Sequence, residues 1–512
     1  MSEDQRDATA FLKDPSSYGP GVDRVEVIET HASLIFIAGE RVFKLKRAVA
    51  YPYLDFSTVD LRRRACEAEL TLNRRTAPAL YEEVRGLFRG AGGAVGFSPS
   101  GEAVDWVVVM RRFDQALLFD ALVETGGLDR HIMDQLADHI AQFHASAERH
   151  YDQGGAAKMA DLADVQYRCL AAPSRAGFSP ARVESIRKKW QEQVAVWAEL
   201  LDRRRVAAKV RHCHGDLHLR NICLLDGKPT LFDCLEFDEA LATIDVLYDL
   251  AFLLMDLEHR GLGYFANRVV NRYLDRSEED GGLAAMPLFL SLRAAIRAHV
   301  TATALEHAAD AIAGAKMACD ARRYLDLAER FLQPQPCRLI SIGGLSGSGK
   351  STLAAGLAPE LGLRPGARVL RSDVTRKLLL GVDPEERLPS TAYSREISAR
   401  VYDVLRRKAA VGLAAGYTVI IDAVALTEEE RSSFAEVARA AGVPFSGLWL
   451  EARSEAMANR IRGRVRDASD ASPEILAEQL RHDTGKIDWV RIDASGRAED
   501  CLAAARRFLA RG

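Results

Sequence analysis

The sequence predicts two successive domains, an α+β domain of two lobes and then an α/β domain built on a parallel sheet. Three observations predict this. The segment His214-Gly215-Asp216-Leu217-His218-Leu219-Arg220-Asn221, with Asp233 after it, places two acids and an amide at the spacing of a phosphoryl-transfer loop. The segment Gly344-Leu345-Ser346-Gly347-Ser348-Gly349-Lys350-Ser351 is a glycine-rich phosphate loop of a different kind. Between them, Gln333-Pro334-Gln335-Pro336 breaks a long helical stretch, and the apolar run Leu339-Ile340-Ser341-Ile342 follows. The two loop types rest on unrelated folds, so one domain cannot hold both. The boundary is placed near 335, giving domains 1–335 and 336–512.

Composition bounds the partners. A chain of 512 residues has room for two to four domains, each with its own core. The net charge of −3 supplies no global basic field of the kind that binds nucleic acid. No run of 18 apolar residues occurs, so no membrane span is expected. The N-terminal residues are polar and lack the apolar core of a signal peptide. The 8 cysteines are scattered, with no C-x-x-C pair and no zinc spacing. They read as reduced thiols of a cytoplasmic protein. The oligomeric state is left open.

In the first half, Val25–Ile28, Leu34–Ile37 and Val42–Lys46 read as three short strands, with a tight turn at Gly39-Glu40. Residues 58–73 read as a helix, 106–110 as a strand, and 129–149 as a helix with Ile132, Leu136, Ile140 and Phe143 on one face. From 241 to 331 the pattern is helical almost throughout. Phosphoryl transfer needs a carboxylate near the acceptor hydroxyl, metal ligands on the phosphates, and a cation on the α/β-phosphates. Asp216 suits the first role. Asn221 suits a metal ligand from the same loop. Asp233 suits the principal Mg²⁺ ligand, because a hairpin turning at Asp226-Gly227 returns it beside Asn221. Lys44 and Lys46 point to one face of their strand. Lys44 is favoured for the phosphates because it sits between Phe43 and Leu45. A helix glutamate should pair with it, and Glu69 is preferred to Glu67.

This set resembles the aminoglycoside phosphotransferase-like (protein-kinase-like) family over roughly residues 20–330. The resemblance rests on His214-Gly215-Asp216 with Asn221, on Phe232-Asp233, and on Asp245-Val246-Leu247-Tyr248-Asp249-Leu250-Ala251. It implies a bilobal kinase-like fold in which Asp249 braces the catalytic loop. Two features depart from the family. The first turn, Thr30-His31-Ala32-Ser33, has no glycine-rich cover, and Asp233 is followed by Cys234-Leu235-Glu236 rather than Phe-Gly. The family's name does not give the acceptor: Lys and Arg nearly balance Asp and Glu over residues 260–333, which argues against a polycation.

In the second half, strand, glycine-rich loop and helix follow in order, as a P-loop requires. The glycines let backbone N–H groups wrap the phosphates, and the helix N-terminus adds partial positive charge. Gly344, Gly347, Ser348, Gly349, Lys350, Ser351 and Thr352 form the expected nucleotide contacts, with Lys350 on the β/γ-phosphates and Ser351 on Mg²⁺. A second strand ends in Asp373-Val374-Thr375-Arg376, where Asp373 suits a base and Arg376 a substrate clamp beside the nucleotide. The strand through Ile420-Ile421 ends in Asp422, suited to a metal contact. Residues 445–450 and 489–492 add two more strands. The arginine-rich segment 460–470 reads as a lid, with Arg464 the residue chosen to neutralise transition-state charge. This half resembles the P-loop kinases related to gluconate kinase and the zeta-toxin-like kinases. The whole chain resembles bacterial tandem proteins that join the two domains. The expectation is therefore an α+β bilobal protein-kinase-like domain followed by an α/β P-loop NTPase domain. It acts as a bifunctional kinase that uses ATP and Mg²⁺ at two sites to phosphorylate a hydroxyl of a sugar-like metabolite. A nucleotide or nucleic-acid end kinase, and a nucleotide sensor with one active domain, are the alternatives.

Overall fold

The computed structural model describes residues 4–30, 32–51, 54–306, 308–463 and 468–510. It packs as two compact units, residues 1–154 with 204–253 and residues 155–203 with 254–512. The units therefore do not divide at 335.

The first unit is built on an antiparallel sheet. Its strand order is Val25–Glu29, Ser33–Ala38, Arg41–Lys46, Glu102–Arg111, Tyr81–Arg89, Val95–Gly96. The three expected N-terminal strands form with Gly39-Glu40 at the turn, and Phe36 pairs with Phe43 in register. The strand Tyr81–Arg89 was not anticipated. Its Glu82, Glu83, Arg85 and Gly86 hide the alternation, yet it pairs along nearly the whole of Glu102–Arg111. Alternation in that partner strand feeds both faces of the sheet. Val107 and Val109 pack with Phe36, Phe43, Leu45 and the N-terminal helix residues Ala8 and Leu12. Val108 and Met110 face Cys66 of the helix Val59–Asn73. Thr58 starts that helix by accepting the Leu61 N–H. Asp129 does the same for Arg130–Ser146, accepting from His131 and Ile132.

The second unit joins a layer of helices to a five-stranded sheet. Trp190 donates to Ser291 at 2.8 Å, and Ser291 donates to the Ala328 carbonyl at 2.7 Å, tying three helices at one buried point. By length and composition Glu279–Leu305 could cross a membrane, but most of it is buried in this layer. The sheet runs in the order Arg368–Arg371, Val419–Asp422, Leu339–Gly343, Phe445–Glu451, Val490–Asp493, with every neighbour parallel. Apolar clusters on both faces bury it, as parallel sheets require.

The exposed edge of this sheet is closed by the helix Gly263–Ser277. The Asn271 side-chain amide imitates a neighbouring strand. Its oxygen accepts the Val369 N–H at 2.7 Å and its nitrogen donates to the Ala367 carbonyl at 3.1 Å. Asn267 adds a second bond to Ala367 at 3.0 Å. The buried Arg368 reaches back to Asp280 at 2.6 Å and Asp275 at 2.7 Å. These contacts cross position 335. Helical periodicity cannot reveal them, because it shows that a helix has a buried face but not which neighbour buries it.

Candidate active sites

In the first unit, strand parity sends Lys44 and Lys46 to the same face, and both meet the helix carboxylate Glu69. Lys44 Nζ lies 2.8 Å from Glu69 Oε1 and 2.6 Å from Asp233 Oδ1. Lys46 Nζ lies 2.5 Å from Glu69 Oε2 and also contacts Glu236. Glu69 is fully buried. Burial alone would push its carboxyl up, but Lys44 and Lys46 together hold it well below the usual carboxylate range. Glu67 pairs with Arg63 on the exposed side of the same helix.

The catalytic-loop segment follows the strand Val210–His212. Its backbone is held by Asp249, which accepts from Gly215 N at 2.9 Å, from His214 N at 3.2 Å, and meets His144 Nε2 at 3.0 Å. Asp216 is left partly exposed and faces Asn221 and His218, with Asn221 Nδ2 at 3.0 Å and His218 Nε2 at 3.3 Å. Because the Asn221 amide nitrogen is occupied by Asp216, its oxygen is the atom left for a cation. The hairpin Ile222–Leu225 with Lys228–Leu231 turns at Asp226 and Gly227, both at positive φ. It returns the chain so that Phe232 N donates to the Asn221 carbonyl at 3.0 Å. Asp233 adopts φ 60°, a left-handed turn that aims its carboxylate at Lys44. Asp216, Asn221, Asp233, Lys44 and Glu69 thus belong to one unit. Carboxylates, an amide oxygen and a paired lysine are donors that suit Mg²⁺ and phosphate. The first turn closes without glycine: Ser33 N donates to Thr30 Oγ1 at 2.9 Å and Thr30 N to the Ser33 carbonyl at 2.9 Å.

In the second unit, the strand Leu339–Gly343 ends in the glycine-rich loop. Gly344 (φ 132°) and Gly347 (φ 82°) accept no side chain, since a Cβ would stand 2.6 Å from the Leu450 and Met457 carbonyl oxygens respectively. Gly349 (φ 102°) precedes the helix Lys350–Leu357. Lys350 Nζ donates back to the Gly344 carbonyl at 2.8 Å and the Leu345 carbonyl at 3.1 Å, closing the cradle over itself. The Ser348 hydroxyl is buried within the loop without a partner among the described residues, and Thr352 is exposed. Ser351 Oγ donates to Asp422 Oδ2 at 2.6 Å, and Arg371 Nε lies 3.4 Å from the same oxygen. A cradle that a Cβ would fill, with a lysine and a hydroxyl–carboxylate pair at its mouth, fits a triphosphate and its metal.

Asp373 follows the edge strand. Burial pushes its carboxyl up, Arg371 and Lys350 oppose this, and Asp422 adds to it. A carboxyl raised in this way suits a general base. Arg376 does not present an open clamp. It donates to the Ala392 carbonyl at 2.8 Å and to Ser398 at 3.3 Å, and it stacks 4.6 Å from the Tyr393 ring. The arginine-rich segment divides in two. Arg464 lies outside the described residues. Arg460 is fastened to the back of the phosphate loop, at 3.4 Å from the Ser348 carbonyl and 2.7 Å from that of Ala494. At the far end the largely covered side chain of Asp470 is a hub, accepting from Tyr393 Oη at 2.7 Å and Lys377 Nζ at 3.1 Å.

Sequence reasoning weighs Lys46 only as the alternative to Lys44, and gives no role to Glu236, Gln479 or Asp470. Glu236 carried one signal, its place three residues after Asp233. Gln479 carried none: it accepts the Ser346 N–H at 2.9 Å across 133 positions of sequence.

Two family models match the chain, the phosphotransferase enzyme family over residues 107–288 and an AAA domain over residues 339–483. Uncharacterized proteins of Mycobacterium tuberculosis and Mycobacterium bovis are 32% identical to it, over 94% of this chain and 94% of theirs. Among solved structures it is similar to a choline/ethanolamine kinase family protein from Mesorhizobium loti (12% identity, 63% of this chain and 97% of that one, TM-score 0.38). It is also similar to a gluconokinase from Sinorhizobium meliloti (19% identity, 35% of this chain and 94% of that one, TM-score 0.26).

Proposed function

We propose that this chain, which belongs to the family of those mycobacterial proteins and carries a phosphotransferase-family domain followed by an AAA-type P-loop kinase domain, is bifunctional, with each half phosphorylating a hydroxyl. It is an ATP-dependent kinase of the small-molecule class. The proposed acceptors are sugar-like metabolites, and the proposed catalytic halves are 1–335 and 336–512. The observation that carries the reading is that each half holds its own lysine beside its own carboxylates: Lys44 with Glu69 and Asp233, and Lys350 near Asp373.

In the first half, Lys44, oriented by Glu69, meets the α/β-phosphates while Asp216 orients the acceptor hydroxyl. In the second, Lys350 meets the β/γ-phosphates, the loop from Gly344 to Thr352 cradles them, and Asp373 takes the acceptor proton. Arg376 braces the acceptor wall through Tyr393, and Arg464 belongs to the lid. Mg²⁺, when bound, neutralises charge on the phosphates, and Asn221 with Asp233, or Ser351 with Asp422, would hold it. The acceptor oxygen forms a bond to the γ-phosphorus, the bond to the bridging oxygen breaks, and ADP leaves.

An ATP-consumption screen of the full chain against sugars, sugar acids, amino sugars and nucleosides tests this reading. Two acceptor activities are expected, one lost in Asp216→Asn and the other in Lys350→Ala. A single activity, abolished by one variant and untouched by the other, would leave the silent half as a nucleotide sensor. Activity only on nucleic-acid ends would replace the sugar-like acceptor.

A further inference from the structure

The first site holds more charge than its proposed chemistry uses. Asp233, Lys44, Glu69, Lys46 and Glu236 form an alternating chain in which each lysine bridges two carboxylates. Lys46 is 1% exposed, so no nucleotide can reach it as the fold stands. Asp233 and Glu236 leave the same short loop, and both are aimed at the same strand. On binding nucleotide, Lys44 must exchange Asp233 for phosphate oxygens. Glu236 is then the nearest carboxylate able to compete for it, unless another cation holds Glu236 back.

We propose that Lys46 is a positioning residue of the first site, whose work is to neutralise Glu236 and anchor Glu69 so that Lys44 is free to meet the phosphates. This rests on the proposed reading of that site. The chain has a net charge of −1 with all five groups ionised. Removing Lys46 alone makes it −2 in a buried place and leaves Lys44 facing three carboxylates. Removing Lys46 and the Glu236 charge together restores −1. A buried pair behaves in this asymmetric way: one partner lost is costly, both lost is nearly neutral. A lysine that served only as packing would show no such rescue.

The test is calorimetric titration of Mg-free ADP into the full chain carrying Lys350→Ala, which removes the second site's phosphate-facing lysine. Lys46→Met is expected to weaken binding at least about tenfold, and Lys46→Met/Glu236→Gln to return to within about threefold of the parent. Glu236→Gln alone should bind within about threefold of the parent, because Lys46 keeps Glu69 as its partner and is not left an unpaired charge. Thermal unfolding without nucleotide should follow the same order, with the single Lys46 variant lowest. A double variant no better than Lys46→Met, or a Lys46→Met that binds normally, overturns the inference and leaves the proposed function standing. Loss of binding in Glu236→Gln also overturns it, by making Glu236 a direct ligand. A parent that binds no ADP at its first site overturns both.

Discussion

Asp216→Asn, placed in the full chain alongside Lys350→Ala, is expected to lower ATP consumption at the first site by about 10³-fold, roughly 4 kcal/mol of barrier. The substitution keeps the side chain's shape and removes its charge. The loop should not move, because Asp249 holds the backbone amides of His214 and Gly215 independently of Asp216. Lys44, Glu69 and Asp233 are not touched, so nucleotide affinity should stay within about twofold while turnover falls. Equal losses in affinity and turnover would indicate a disturbed loop. Turnover within threefold of the parent would remove Asp216 as the group that orients the acceptor.

Arg368→Met should be the most destabilising single change at the edge of the P-loop sheet. The guanidinium is 1% exposed and bonded to Asp275 and Asp280, and its loss leaves two carboxylates facing a buried strand. Lys408, 3.1 Å from Asp280, offsets part of this. Breaking one member of a buried ion network costs about 3–5 kcal/mol. Denaturant unfolding should show that loss in the transition of the second unit. Arg506→Met is the contrast. Its ion pair with Glu360 is about half exposed, and pairs of that kind contribute about 0–1 kcal/mol. Similar small shifts in both variants would mean that the helix Gly263–Ser277 does not support the sheet edge through Arg368.

What was legible in the sequence is what local pattern controls. Alternation and the Gly39-Glu40 turn yield the first three strands, and strand parity puts Lys44 and Lys46 on one face. The glycine spacing of 344–349 yields the phosphate loop, because only glycine tolerates those φ values so close to backbone oxygens. The spacing from Asp216 to Asn221 to Asp233 yields the loop and hairpin, because a tight turn at Asp226-Gly227 leaves the chain few ways to return. What was not legible depends on contacts distant in sequence. Lys46 meets Glu236 across 190 positions, and Arg368 meets Asp280 across 88. No periodicity announces such pairs. The spacing of Arg376 to Asp373 suggests a clamp, but Tyr393 and Ala392, in the separate 3-10 turn Ser390–Tyr393, are what engage it. The strand Tyr81–Arg89 was hidden by charges on its face and by Gly86 in its middle.

The two halves of the chain are proposed to bind ATP independently. Calorimetric titration of Mg-ATP into the full chain and into its Lys350→Ala variant tests this most directly. The expected stoichiometry is two nucleotides per chain in the wild type, falling towards one in Lys350→Ala. One nucleotide per chain in the wild type, at any salt or Mg²⁺ concentration, would contradict it.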